Sequence, residues 1–132
     1  MFIDVLLARF TPRFPEAEAL ALTSRVLLLR SDAGVGINIA LGGLPFEDQS
    51  IDRSSEFEYL PGIHLRTCSA EDLVIHKAFA ARPKDWLDVE GTLQRQVLLD
   101  WSYIEQQLPP LLELKKEPEN WKTLMKLKAS AP

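Results

Sequence analysis

Ser69-Ala-Glu-Asp-Leu-Val-Ile-His-Lys-Ala-Phe-Ala-Ala-Arg-Pro-Lys-Asp-Trp-Leu-Asp-Val-Glu90 decides how the second half of this chain folds. Ser69 followed three residues later by Asp72 resembles a capping box, with the acid one methylene shorter than the usual glutamate. The helix it opens carries Leu73, Val74, Ala78 and Ala81. Pro83 restricts Arg82 away from helical geometry, so a break is expected there. Pro83 then suits the first turn of a new helix, on which Trp86, Val89, Leu93 and Val97 form an apolar stripe. Downstream, Asp100 reads as the N-cap of a further helix. Pro109-Pro110 must interrupt or restart that helix. Pro118 opens a last helical segment carrying Trp121, Leu124 and Leu127, and residues 128–132 are expected to fray.

Upstream, the pattern changes. Phe2, Val5, Leu6 and Phe10 recur at helical spacing until Pro12 and Pro15 end it. Residues 17–23 fit either helix or strand. Arg25-Val-Leu-Leu-Leu-Arg30 is a short apolar run bounded by charge, as expected of a strand buried on both faces. Ser31-Asp-Ala-Gly34 supplies turn chemistry and Val35–Leu41 a second strand, which predicts a hairpin at about 25–41, ended by Gly42-Gly43. Residues 46–57 are polar with few core anchors and read as a short helix. Pro61-Gly62 marks a turn before a short strand near 63–67. A β-rich segment 1–68 followed by a helical segment 69–127 gives the α+β class, in a single domain over 1–132.

Composition bounds the function. With 132 residues, 46% hydrophobic and 26% charged, the chain has the balance of an ordinary globular domain. A formal net charge of −4 argues against general affinity for nucleic acid or anionic membrane. No apolar run approaches the ~18–20 residues that a spanning helix needs. The N-terminus lacks the basic stretch of a secretory signal, and Asp4 interrupts its apolar run. The one cysteine, Cys68, has no internal disulfide partner, and two histidines give no zinc spacing. A cytoplasmic protein is expected.

The candidate site residues are Lys77, Arg82, Lys84, Asp85 and Asp88. A helix-borne lysine can hold a triphosphate as a point charge, with Asp85 and Asp88 orienting it or contacting a ribose hydroxyl. Spacing alone favours a solvated helix face, with Lys84 and Asp88 as an i,i+4 pair. Asn38, between Ile37 and Ile39, is either on the wet face of the hairpin or in a site. His64 and His76 read as surface or boundary residues. Cys68 precedes a helix start, which would lower its pKa somewhat, but no partner base is evident. Gly34, Gly36, Gly42 and Gly43 match no phosphate-loop fingerprint.

Three runs together carry a family resemblance: Gly34-Val-Gly-Ile-Asn-Ile-Ala-Leu-Gly-Gly-Leu-Pro-Phe-Glu47, Ala70-Glu-Asp-Leu-Val-Ile-His-Lys77 and Arg82-Pro-Lys-Asp-Trp-Leu-Asp-Val-Glu-Gly91. In order and spacing the chain resembles, from about Phe2 to Leu127, the nucleotidyltransferases of the AbiEii toxin type, within the polymerase-beta-like superfamily. The resemblance implies a mixed sheet flanked by helices, and transfer of a nucleotide from an NTP on Mg²⁺ held by three carboxylates. The N-terminal Gly-Ser … Asp-x-Asp element that supplies two of them has no counterpart here, and the third position aligns with Asn38. A neutral amide is a poor ligand for a hard cation. The resemblance therefore implies an N-terminally truncated nucleotidyltransferase-like protein, unable to transfer nucleotides alone, with no cofactor of its own. It leaves two alternatives. One is half of a split, toxin-like enzyme that takes up Mg²⁺ and NTP once a separately encoded N-terminal half is present. The other is a non-catalytic nucleotide- or protein-binding module. An uncovered sheet edge is expected to drive self-association or pairing with that N-terminal half, and the toxin type implies an antitoxin partner.

Overall fold

Small side chains at two helical positions set up the N-terminal part of the fold. The computed structural model describes residues 2–96 and 98–131, so that Val97 of the apolar stripe lies outside the described residues. Contacts divide the chain into two units, Met1–Glu47 and Asp48–Pro132. In the first, α1 (Phe2–Leu7) is followed by β1 (Thr11–Pro12), α2 (Ala17–Ser24), β2 (Val26–Arg30) and β3 (Gly36–Ala40). Ala17 and Ala21 are fully buried and let α2 lie close on β2, where they meet Leu27, Leu29 and Ile3. The sheet is antiparallel in the order β1-β2-β3, with Leu28 opposite Asn38 and Val26 opposite Ala40. The expected hairpin is thus present. The expectation that residues 25–30 are buried on both faces fails: Leu27 and Leu29 are buried, while Val26 and Leu28 are only half-buried. An antiparallel sheet covered by a helix on one side leaves its other face partly wet. Pro12 hid β1 from the sequence reading, because proline is tolerated in strands mainly at edges.

In the second unit, residues 63–67 do form a strand, but in a separate sheet. β4 (Ser55–Leu60) and β5 (Ile63–Thr67) make a two-stranded antiparallel ribbon around Pro61-Gly62, where Gly62 takes φ +75°. The mixed sheet implied by the resemblance is therefore replaced by two antiparallel ones, each pairing strands that are close in sequence. The helix expected over 46–57 ends early: α3 (Pro45–Asp52) crosses the division between the units, and residues 55–57 already belong to β4.

Four helices follow, and α4 (Ala70–Ala80) is their centre. Its Val74, Ile75 and Ala78 are fully buried, and it packs on α5 (Pro83–Arg95), α6 (Trp101–Lys115) and α7 (Glu119–Ser130). Ser69 caps α4 by accepting the Asp72 N–H at 3.1 Å. The reciprocal half of a capping box is not made with Asp72, whose buried carboxylate instead takes the Tyr103 hydroxyl at 2.8 Å and Arg53 Nε at 3.3 Å. Ala81 ends α4 at φ 56° and Pro83 starts α5, as the proline break requires. Asp100 caps α6 through the Tyr103 N–H at 3.0 Å.

Two expectations fail here. α6 runs unbroken through Pro109 and Pro110. Ile104, Leu108 and Leu112, one turn apart and all fully buried, hold the helix together across the missing backbone donors. α7 continues to Ser130, so Lys128–Ser130 are helical rather than frayed. Lys115 from the end of α6 donates to Phe79 O at 2.6 Å, neutralising the carbonyl end of α4. Among the described residues no helix is long and apolar enough to cross a membrane.

Candidate functional site

The corner between α4 and α5 turns four of the five candidate side chains toward one another. Lys77 stands in the last turn of α4, and Arg82, Asp85 and Asp88 occupy the start of α5. Asp85 is the fixed point. Its side chain is 0% exposed and closes the first turn of α5 by accepting the Arg82 N–H at 3.1 Å. The Arg82 guanidinium grips the same carboxylate through Nε at 2.6 Å and Nη2 at 3.0 Å, and Lys77 Nζ adds a third cationic contact at 3.3 Å. Hydrogen bonds from Arg82 outweigh the cost of burial and lower the Asp85 pKa to about 2. Lys77 is shared: its Nζ lies 2.7 Å from Asp88, and that bond first, then Asp85, raises the lysine pKa.

Lys84 is not part of this cluster. The expected Lys84–Asp88 pair is absent, because Asp88 turns to Lys77 across the helix corner. Arg82 differs from its expected role as well. Both edges of its contact go to Asp85, so the guanidinium is spent on holding the corner.

Lys77 and Asp88 open onto a groove of about 350 Å³ lined also by Leu73, Leu87, Gly91, Thr92 and Arg95. These extra residues escaped the sequence reading, although the signal was there: Asp88, Gly91, Thr92 and Arg95 recur at i, i+3, i+4 and i+7 and share one face of α5. Gly91 adds no side chain to that face, and the space beside it is open, with nothing within 4 Å of where a Cβ would stand. The walls carry two cations, Lys77 and Arg95, against one anion, Asp88, so the groove is locally positive on a chain of net charge −4.

Asn38 belongs to the N-terminal unit, on the exposed face of β3. Its Oδ1 accepts from Arg13 Nη1 at 3.0 Å. The amide oxygen that a metal would need therefore faces a guanidinium, which repels a cation. The residue does not fit the carboxylate position of a Mg²⁺ site. Among the described residues no three His, Cys, Asp or Glu side chains converge as metal ligands.

Other polar groups do structural work. Tyr103 is pushed up to about 12 by burial and by its bond to Asp72, with Arg53 stacked 4.0 Å from its ring centroid. His64 is exposed, and the half-buried His76 meets the buried Ser50 at 3.1 Å. Cys68 departs from expectation: partial burial of the thiol and the nearby Asp72 raise its pKa, overriding any pull from the start of α4. No family model, no curated protein and no solved structure matches the chain.

Proposed function

We propose that this chain is a nucleotidyltransferase-like protein that holds a nucleoside triphosphate in the Lys77 groove and does not transfer it unaided. The observation that carries the reading is the double restraint on Lys77. Buried Asp85 anchors the ammonium from below, and Asp88, with a side chain 51% exposed, holds it from the solvent side. A solvated pair of this kind contributes about 0–1 kcal/mol, so an entering phosphate displaces Asp88 at little cost. Asp85 stays in place and keeps the lysine aimed. Arg95, which pairs with no acid among the described residues, supplies a second charge to a polyphosphate. Leu73 and Leu87 give apolar surface for a base.

Transfer is a separate matter. Phosphoryl and nucleotidyl transfer need the attacking and leaving oxygens held in line and their charge neutralised, usually by metal ions on carboxylates. Asn38, bound to Arg13, does not offer that ligand. The proposal includes a cytoplasmic location, supported by the single free cysteine.

The test is incubation of purified protein with Mg²⁺ and each α-labelled NTP, with RNA or protein as acceptor. No label is expected to move above a protein-free control. Transfer by the wild type that disappears in Lys77→Ala would overturn the account.

A further inference from the structure

A second pocket lies within the Asp48–Pro132 unit, where the end of α3 meets the end of β5. It measures about 280 Å³ and is lined by Ser50, Ile51, Ser54, Arg66 and Cys68, with no carboxylate among them. Arg66 is held in place there. Its Nε donates to Ser54 Oγ at 2.7 Å and its Nη2 to the Ser54 carbonyl at 3.4 Å, while the Ser54 hydroxyl donates to the Ile51 carbonyl. Glu56 is its cross-strand neighbour, yet among the described residues Arg66 pairs with no acid. A guanidinium has five N–H groups, so most of its donors remain for a ligand.

Ser50 adds a buried hydroxyl to the same wall, at 4% exposure. Its Oγ lies 3.1 Å from Nε2 of the half-buried His76 on α4. With the ring protonated at Nε2, the imidazole donates to Ser50 and the hydroxyl proton is left for an acceptor in the pocket. Burial first, then the nearby Asp72, raises the Cys68 pKa, so the thiol stays neutral and brings no negative charge.

We infer that this pocket binds a short-chain monocarboxylate, its carboxylate on Arg66 and the Ser50 hydroxyl and its chain against Ile51 and Cys68. A planar guanidinium already fixed by Ser54 matches the two oxygens of a carboxylate. One cation balances one negative charge, whereas a phosphate monoester brings close to two. The volume falls below the ~300 Å³ at which pockets for drug-sized ligands begin, which restricts the occupant to a few carbons. The pocket shares no lining residue with the Lys77 groove, so the inference is independent of the nucleotide reading.

Titration of isotope-labelled protein with sodium butyrate, at fixed pH and ionic strength and followed by amide chemical shifts, tests it. Saturable shifts are expected at Ser50, Ile51, Ser54, Arg66 and Cys68, with a Kd on the order of 1 mM. Butyramide, the neutral analogue, is expected not to saturate, and inorganic phosphate to bind at least about tenfold more weakly. Arg66→Gln should weaken butyrate at least about tenfold, and Ser50→Ala several-fold. Arg66→Lys should weaken it too, because an ammonium lacks the planar fork. Absence of saturable shifts in the wild type overturns the inference, as does equal binding of butyramide or an unchanged affinity in folded Arg66→Gln. Phosphate bound as tightly as butyrate overturns the carboxylate assignment, by showing a general anion site. Loss of fold in Arg66→Gln leaves the decision to Arg66→Lys and to the three wild-type titrations.

Discussion

Asp85 shows how one buried carboxylate organises a site. It caps α5, pairs with Arg82 and anchors Lys77, and its pKa is lowered from 3.8 to about 2. A depressed acid stabilises the fold above its unfolded pKa, and that contribution fades as pH falls through the folded value. Asp85 therefore supports stability fully at neutral pH and loses its effect between about pH 4 and about pH 2. Its share is on the order of 1–2 kcal/mol, since the Arg82 partner is largely solvated. Urea unfolding should show Asp85→Asn less stable than the wild type by about that amount at pH 7, with the difference shrinking below pH 4. A difference that is constant from pH 7 to pH 2 would mean that the charge is not what matters. The identities of Lys77, Arg82, Asp85 and Asp88 were legible in the sequence through the Pro83 break. Their pairing was not, because it crosses from one helix to the next, and i,i+4 counting sees only one helix at a time. That is why Asp88 was given to Lys84.

At the scale of elements, caps and breaks were legible and continuity was not. Ser69, Pro83 and Asp100 mark helix starts by purely local chemistry, and each stands where it was read. Pro109 and Pro110 were misread because their local cost, about 3 kcal/mol each in a helix interior, is outweighed by tertiary burial of Ile104, Leu108 and Leu112. β4 was missed because its alternation of Glu56, Phe57 and Glu58 is short and buries nothing in the chain itself. A consequence is testable in α6. Pro110 is exposed, and its replacement restores a backbone donor without removing buried surface. Pro110→Ala should stabilise the protein by about 1–2 kcal/mol, after allowing for the more flexible unfolded chain. Thermal unfolding would then occur several degrees higher. A lower melting temperature would mean that the prolines select the helix path that α4 and α7 require.

For the whole molecule, the α+β class was legible from the switch between strand-like and helical patterns, and the helical second half is as read. Sheet organisation was not legible, because a single chain's periodicity does not say which strands share a sheet. Only the pairings show that β2–β3 and β4–β5 are separate hairpins. At this scale the proposed nucleotide site is the locally positive groove with Lys77 restrained at its mouth and Arg95 on its wall. Calorimetric titration of ATP into the wild type, Lys77→Ala and Arg95→Ala tests this site. Saturable binding to the wild type is expected, weakened at least about tenfold by Lys77→Ala and several-fold by Arg95→Ala, the tenfold step being the loss of about 1.4 kcal/mol expected for a charge-assisted phosphate contact. Absence of binding to the folded wild type, or an affinity unchanged in Lys77→Ala, would contradict it.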